Sequence, residues 1–149
     1  TDVCPRLEDA LSIAAIFQCL LRYMARLKRA NMKWRSYPDL LVQENRFLAA
    51  RHGVGGRLVD LGKGKMTAFA ALLEEIIEMI EEDAVALDCV KEVHHARRIV
   101  ERGSSAMQQL QVFDAAMAAG ADEKQALCQV VDQIIEQTAY DLPGYGKDA

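Results

Sequence analysis

Glu44-Asn45-Arg46-Phe47-Leu48-Ala49-Ala50-Arg51-His52-Gly53 runs directly into Val54-Gly55-Gly56-Arg57-Leu58-Val59-Asp60, and the change of pattern between the two decides how the chain is built. The first stretch has helical periodicity and the glycines stop it. At about 100° per residue, Leu40, Glu44, Phe47 and Arg51 share one face. A carboxylate and a guanidinium inside an apolar stripe cost free energy unless partners satisfy them, and the helix between them separates the two by about 10 Å of rise. A one-turn ion pair between them is therefore excluded. Two readings stay open: a structural network that ties Glu44 or Arg51 to a neighbouring element, and the wall of an active site.

Upstream, residues 5–31 form a long helix that is apolar nearly all round through Ala10, Leu11, Ile13, Ala14, Ile16, Phe17, Leu20 and Leu21. Such a helix belongs at the centre of a bundle. Pro5 suits its opening and Asn31 its end. A second helix covers residues 38–52 and stops at Gly53. Residues 54–66 form a Gly-rich loop with a short extended piece at 57–61. That loop reads as a mobile surface segment or a phosphate cradle, although Gly62-Lys63-Gly64-Lys65 is a poor substitute for a P-loop.

Downstream, residues 67–87 are amphipathic, with Phe69, Leu72, Leu73, Ile76, Ile80 and Leu87 inward and Glu74, Glu75, Glu78, Glu81, Glu82 and Asp83 on a solvated face with a share of cross-helix pairing. Helices at 90–102 and 105–119 follow, broken by Gly103, and Ser105 with Gln108 has capping-box spacing. Asp122 with Gln125 opens a sixth helix, whose buried stripe is Leu127, Val130, Val131, Ile134 and Ile135. The fold class is thus an all-α bundle of about six helices. Residues 1–141 make one helical region and 142–149 a loose tail.

The chain has 149 residues, 51% of them apolar, which suits one domain with a real core. A formal charge of −4 argues against a general nucleic-acid binder. The basic run Arg22, Arg26, Lys28, Arg29, Lys33 and Arg35 fits the last turns of a helix better than a phosphate surface. Trp34 and Tyr37 beside it read as a staple of the turn between the first two helices. Cys4, Cys19, Cys89 and Cys128 are scattered and read as small buried or half-buried thiols of a reducing compartment. His94 and His95 point about 100° apart, and no protein-only metal site is expected within the chain. No stretch resembles a signal peptide, and the run from 13 to 21 is too short to span a bilayer, so a cytoplasmic location is expected.

Several segments resemble, in colinear order, the carboxylate-amine ligases, the type 2 glutamate-cysteine ligase family. These are Asp2-Val3-Cys4-Pro5 with Leu11-Ser12-Ile13-Ala14-Ala15; Glu44-Asn45, Ala49-Ala50-Arg51, Gly53 and Leu58-Val59-Asp60; the stretch from Ala96-Arg97-Arg98 through Glu101-Arg102-Gly103-Ser104-Ser105-Ala106; and Gln109-Leu110-Gln111-Val112-Phe113. Phe47-Leu48 stands where the family usually has Trp-Arg, and Gln108 where Arg is common. The resemblance covers only the C-terminal, helical part of the family's chain.

The resemblance implies a larger, glutamine-synthetase-like α+β enzyme that forms an amide bond with ATP, typically between the γ-carboxylate of glutamate and the amine of cysteine, through an acyl phosphate. ATP and Mg2+ are implied as cofactors, held mainly by acids on a preceding antiparallel sheet. This chain alone is then inactive. It contributes Asn45, Arg51 and Arg57 to the wall of the nucleotide or substrate pocket, with Glu44 as their structural partner and Asp60 as a supporting acid. The implied partners are small molecules (amino acids and ATP), the remaining N-terminal part of the enzyme and a second copy in a homo-oligomer, with no nucleic acid and no membrane. The alternative is a stand-alone helical protein-interaction module. The ligase reading expects a large apolar patch left open; the module expects a well-closed monomer.

Overall fold

A computed structural model describes residues 4–33 and 36–140. Six helices and one small hairpin follow in the order α1 (Leu7–Arg29), α2 (Asp39–His52), β1 (Arg57–Asp60), β2 (Lys65–Ala68), α3 (Phe69–Ala86), α4 (Val90–Arg102), α5 (Ser105–Ala118) and α6 (Glu123–Ala139), with a single 3-10 turn at Gly53–Gly55. The helical bundle expected from periodicity is present. Trp34, expected in a staple, and residues 142–149, expected as a tail, lie outside the described residues.

The core is built by α1, α3 and α4. Asp9, Ser12, Ala15 and Cys19 recur at helical spacing along the inner side of α1 and are buried. Their small size lets Leu73, Ile77, Ile80 and Ala84 of α3 and Val93 and Ala96 of α4 close around them. The opposite side of α1 is open: Ile13, Phe17, Leu21 and Met24 are exposed, Phe17 to 62%. α1 is therefore not enclosed at a bundle centre. By length and composition it is also apolar enough to cross a membrane, one 18-residue window having a mean hydropathy of 1.3, because Ala10, Leu11, Met24 and Leu27 extend the run beyond 13–21. Asp9 of this helix is tied to α4, and Arg22 and Arg26 are tied to α3.

Three helix ends share one device. At the end of α1, Met32 donates its backbone N–H to Leu27 O and Asn31 donates to Lys28 O, with Asn31 at φ 55. The same pair of bonds closes α3 at Asp88 (φ 54) and α5 at Gly120, so three helices end in a left-handed residue that satisfies otherwise unpaired carbonyls.

The stretch 54–66, expected to be a loop with a short extended piece at 57–61, holds β1, the turn of a hairpin and the first two residues of β2. β1 pairs antiparallel with β2 in the register Arg57↔Ala68 to Asp60↔Lys65. Thr67 and Ala68, assigned to a helix, are strand residues. Helical periodicity extends back over them, but cross-strand pairing takes their backbone. Asp60 shapes the turn, its carboxylate accepting from the N–H groups of Gly62 (2.9 Å) and Lys63 (3.0 Å). Two glycines are fixed by this geometry. Gly53 ends α2 at φ 56, and a Cβ on Gly56 would lie 2.6 Å from the Cβ of His52.

α5 and α6 form a helical hairpin. Ser104, not Ser105, caps α5, accepting from Met107 N, while Gln108 donates its side-chain N–H to Gly103 O. At α6 the capping box of Asp122 and Gln125 is present. The α6 stripe differs from expectation: Leu127, Val131 and Ile135 are about half exposed and Val130 and Ile134 half-buried, because α5 covers only the flank carrying Ala126.

Candidate functional site

α2 stands against the hairpin on one side only. Asn45 and Leu48 are half-buried towards β1, and no residue of the helix is fully buried. One step around the helix, Leu40, Glu44, Phe47 and Arg51 form a face wholly open to solvent, with Leu40 at 78% and Phe47 at 57% exposure. The stripe that carries Glu44 and Arg51 is thus unburied in this chain. The two charges need no local partner there, and among the described residues neither has a hydrogen bond or an ion pair. Glu44 does not join Asn45, Arg51 or Arg57.

The three residues expected at a pocket wall have three different situations. The amide of Asn45 donates to Val59 O at 2.8 Å and accepts from Val59 N at 2.7 Å, so it covers the free edge of β1 as a third strand would. Arg57 is exposed and donates from Nη2 to Met66 O at 2.8 Å across the hairpin. Arg51 alone keeps all five guanidinium donors available. Asp60 is buried; burial pushes its carboxyl up, and the hydrogen bonds of Lys63 and Gly62 outweigh that and hold it below the usual carboxylate range. Lys63 in turn reaches Glu75, which fastens the hairpin tip to α3.

Ionic frameworks run through the helical core. Asp83, with none of its surface exposed, is held by Arg22 and Arg26 of α1. Asp9 accepts from Arg102 Nη2 at 2.6 Å and lies 2.9 Å from His95 Nε2. Arg97 grips Glu74 with a two-nitrogen fork. The basic run of α1 and the acidic run of α3 therefore partly neutralise each other. The signal for Asp83 was its register: it shares the stripe of Leu73, Ile77, Ile80 and Ala84, where a carboxylate needs a partner.

A concavity of about 730 Å³ lies between the start of α1 and α4, bordered by Glu8, Lys91, His94, His95 and Arg98 among others. None of Asn45, Arg51 and Arg57 borders it. Its imidazoles are engaged, His94 with Glu81 and His95 with Asp9. Among the described residues no group of three His, Cys, Asp or Glu side chains is placed to hold a metal ion. On α2, Arg51 lies beside Phe47 on an open face, and a guanidinium is a donor fork suited to phosphate or carboxylate.

The sequence profile of Glutamate-cysteine ligase family 2 matches residues 1–131. A Rhodospirillum rubrum protein named "Putative glutamate--cysteine ligase 2" is 51% identical over 148 residues, covering 99% of this chain and 37% of the relative. Relatives of the same name from Jannaschia sp. (41% identical) and Ruegeria pomeroyi (43%) match over 141 residues, 95% of this chain and 37% and 36% of their own lengths. The fold and these matches define a helical segment of a longer protein. The chain belongs to glutamate-cysteine ligase family 2 and spans little more than a third of the length of these relatives.

Proposed function

We propose that this chain is the helical part of an ATP-dependent carboxylate-amine ligase that joins the γ-carboxylate of glutamate to the amine of cysteine in the cytoplasm. ATP with Mg2+ supplies the phosphoryl group that activates the carboxylate, and the remaining polypeptide holds most of both. Within this chain Arg51 binds a phosphate or carboxylate oxygen by its fork, while Asn45 and Arg57 hold the hairpin that sets the edge of the wall. The observation that carries this reading is the placement of Arg51 on α2: a guanidinium with all its donors available, on a face with Leu40 and Phe47 exposed. Apolar surface left open on α1 and α6 supports a larger assembly, since a closed interaction module would not expose Phe17, Leu127 and Val131 together.

The test is Arg51→Ala and Arg51→Lys in the complete protein, assayed for ligase turnover and thermal unfolding. The reading expects KM for ATP or the carboxylate substrate to rise about tenfold or more in both, since lysine lacks the fork, with an unchanged melting temperature. Wild-type constants in both variants would overturn it.

A further inference from the structure

Two thiols from distant parts of the chain meet in the core. Cys19 lies midway along α1 and Cys89 immediately precedes α4; they are 70 residues apart in sequence, and their Sγ atoms are 3.5 Å apart. Cys19 is completely buried and Cys89 half-buried, so oxidants reach the pair through Cys89. Cys4 and Cys128 have no comparable thiol contact among the described residues. A disulfide needs the sulfurs at about 2.05 Å, an approach of about 1.5 Å from where they stand.

We propose that Cys19 and Cys89 are a redox modification site, at which a peroxide converts the two thiols into a disulfide that pins α1 to the junction of α3 and α4. Cys89 Sγ attacks one peroxide oxygen, the O–O bond breaks, and one water leaves as Cys89 becomes a sulfenic acid. Cys19 Sγ then attacks the Cys89 sulfur; the S–O bond breaks, the S–S bond forms, and the second water carries away the Cys19 proton. The two thiols lose two electrons and the peroxide gains them. Burial, with Cys89 alongside, pushes the Cys19 thiol up to about 12, so peroxide modifies the more accessible Cys89 first, and Cys19 gives up its proton only as it attacks the sulfenic acid. This site stands independently of the ligase reading.

The experiment is a hydrogen peroxide titration of the complete native protein, followed by N-ethylmaleimide blocking, denaturation, trypsin and non-reducing mass spectrometry. Cleavage after Arg6, Arg22, Lys65 and Lys91 places Cys19 in peptide 7–22 and Cys89 in peptide 66–91. The expected product is the 7–22/66–91 cross-link, rising with peroxide, removed by dithiothreitol and absent from Cys89→Ser. In Cys19→Ser, dimedone should label Cys89 in its place. Oxidation of Cys89 to a sulfinic acid with Cys19 still a thiol, or cross-linking of either residue to Cys4 or Cys128, overturns the proposal; wild type and Cys89→Ser decide it even if Cys19→Ser fails to fold.

Discussion

Asp83 Oδ1 accepts a hydrogen bond from Arg22 Nη1 at 2.8 Å, across 61 residues of sequence, and Arg26 holds its second oxygen at 2.9 Å. Burial alone would push this carboxyl up; the two guanidinium groups outweigh it and hold the carboxyl below the usual range. Asp83→Ala leaves two arginines facing a void and should cost about 3 kcal/mol, read from urea unfolding. The sign with pH follows from the lowered value in the folded state. The contribution is complete above the unfolded carboxylate pKa of about 3.9 and is lost as pH falls through the folded one. The stability gap between wild type and Asp83→Asn should therefore narrow below about pH 4.

Asn45 makes both of its recorded bonds to the backbone of one residue, Val59. Asn45→Ala should cost roughly 1–2 kcal/mol and speed hydrogen exchange of the Val59 amide. Asn45→Asp should not restore it, since a carboxylate oxygen would then face the Val59 carbonyl. An unchanged exchange rate in both variants would contradict this strand-like role.

Ile13, Phe17, Leu21 and Met24 give α1 an apolar outer face. The 149-residue chain alone should self-associate in sedimentation velocity, and Phe17→Glu with Leu21→Glu should shift it towards monomer. In the complete protein the same pair of changes should lower the melting temperature, as the proposed packing of the remaining polypeptide on this face requires.

Asp88 occupies the left-handed position that closes α3, at φ 54. Asp88→Gly should be more stable than Asp88→Ala by about 1 kcal/mol in thermal unfolding, since alanine pays for the left-handed backbone without the local hydrogen bonding open to aspartate.

Helix positions were legible because Gly53, Gly103 and Gly120 punctuate them and apolar residues recur at helical spacing between. The second strand was not, since Lys65, Met66, Thr67 and Ala68 are four residues whose structure depends on the partner at 57–60. Burial was legible only where a partner lies within the chain. Leu73 and Ile80 are buried as their spacing predicts, but the equally regular stripe of Leu127, Val131 and Ile135 is open, because periodicity tells which residues share a face and not what meets it. At the candidate site, sequence grouped Asn45, Arg51 and Arg57. Only the structure separates two that hold the hairpin from one whose donors are unused.

The pairing of α1 with α3 and α4 has a consequence for biosynthesis. At roughly 5–20 residues per second, a ribosome that has finished Arg22 needs several seconds to reach Asp83, and longer to reach Arg102, the partner of Asp9. During that interval α1 waits with neither of its faces satisfied from downstream. Its inner carboxylate and arginines keep it hydrated while it waits, and the same groups become the clasp that closes the core once α3 and α4 arrive.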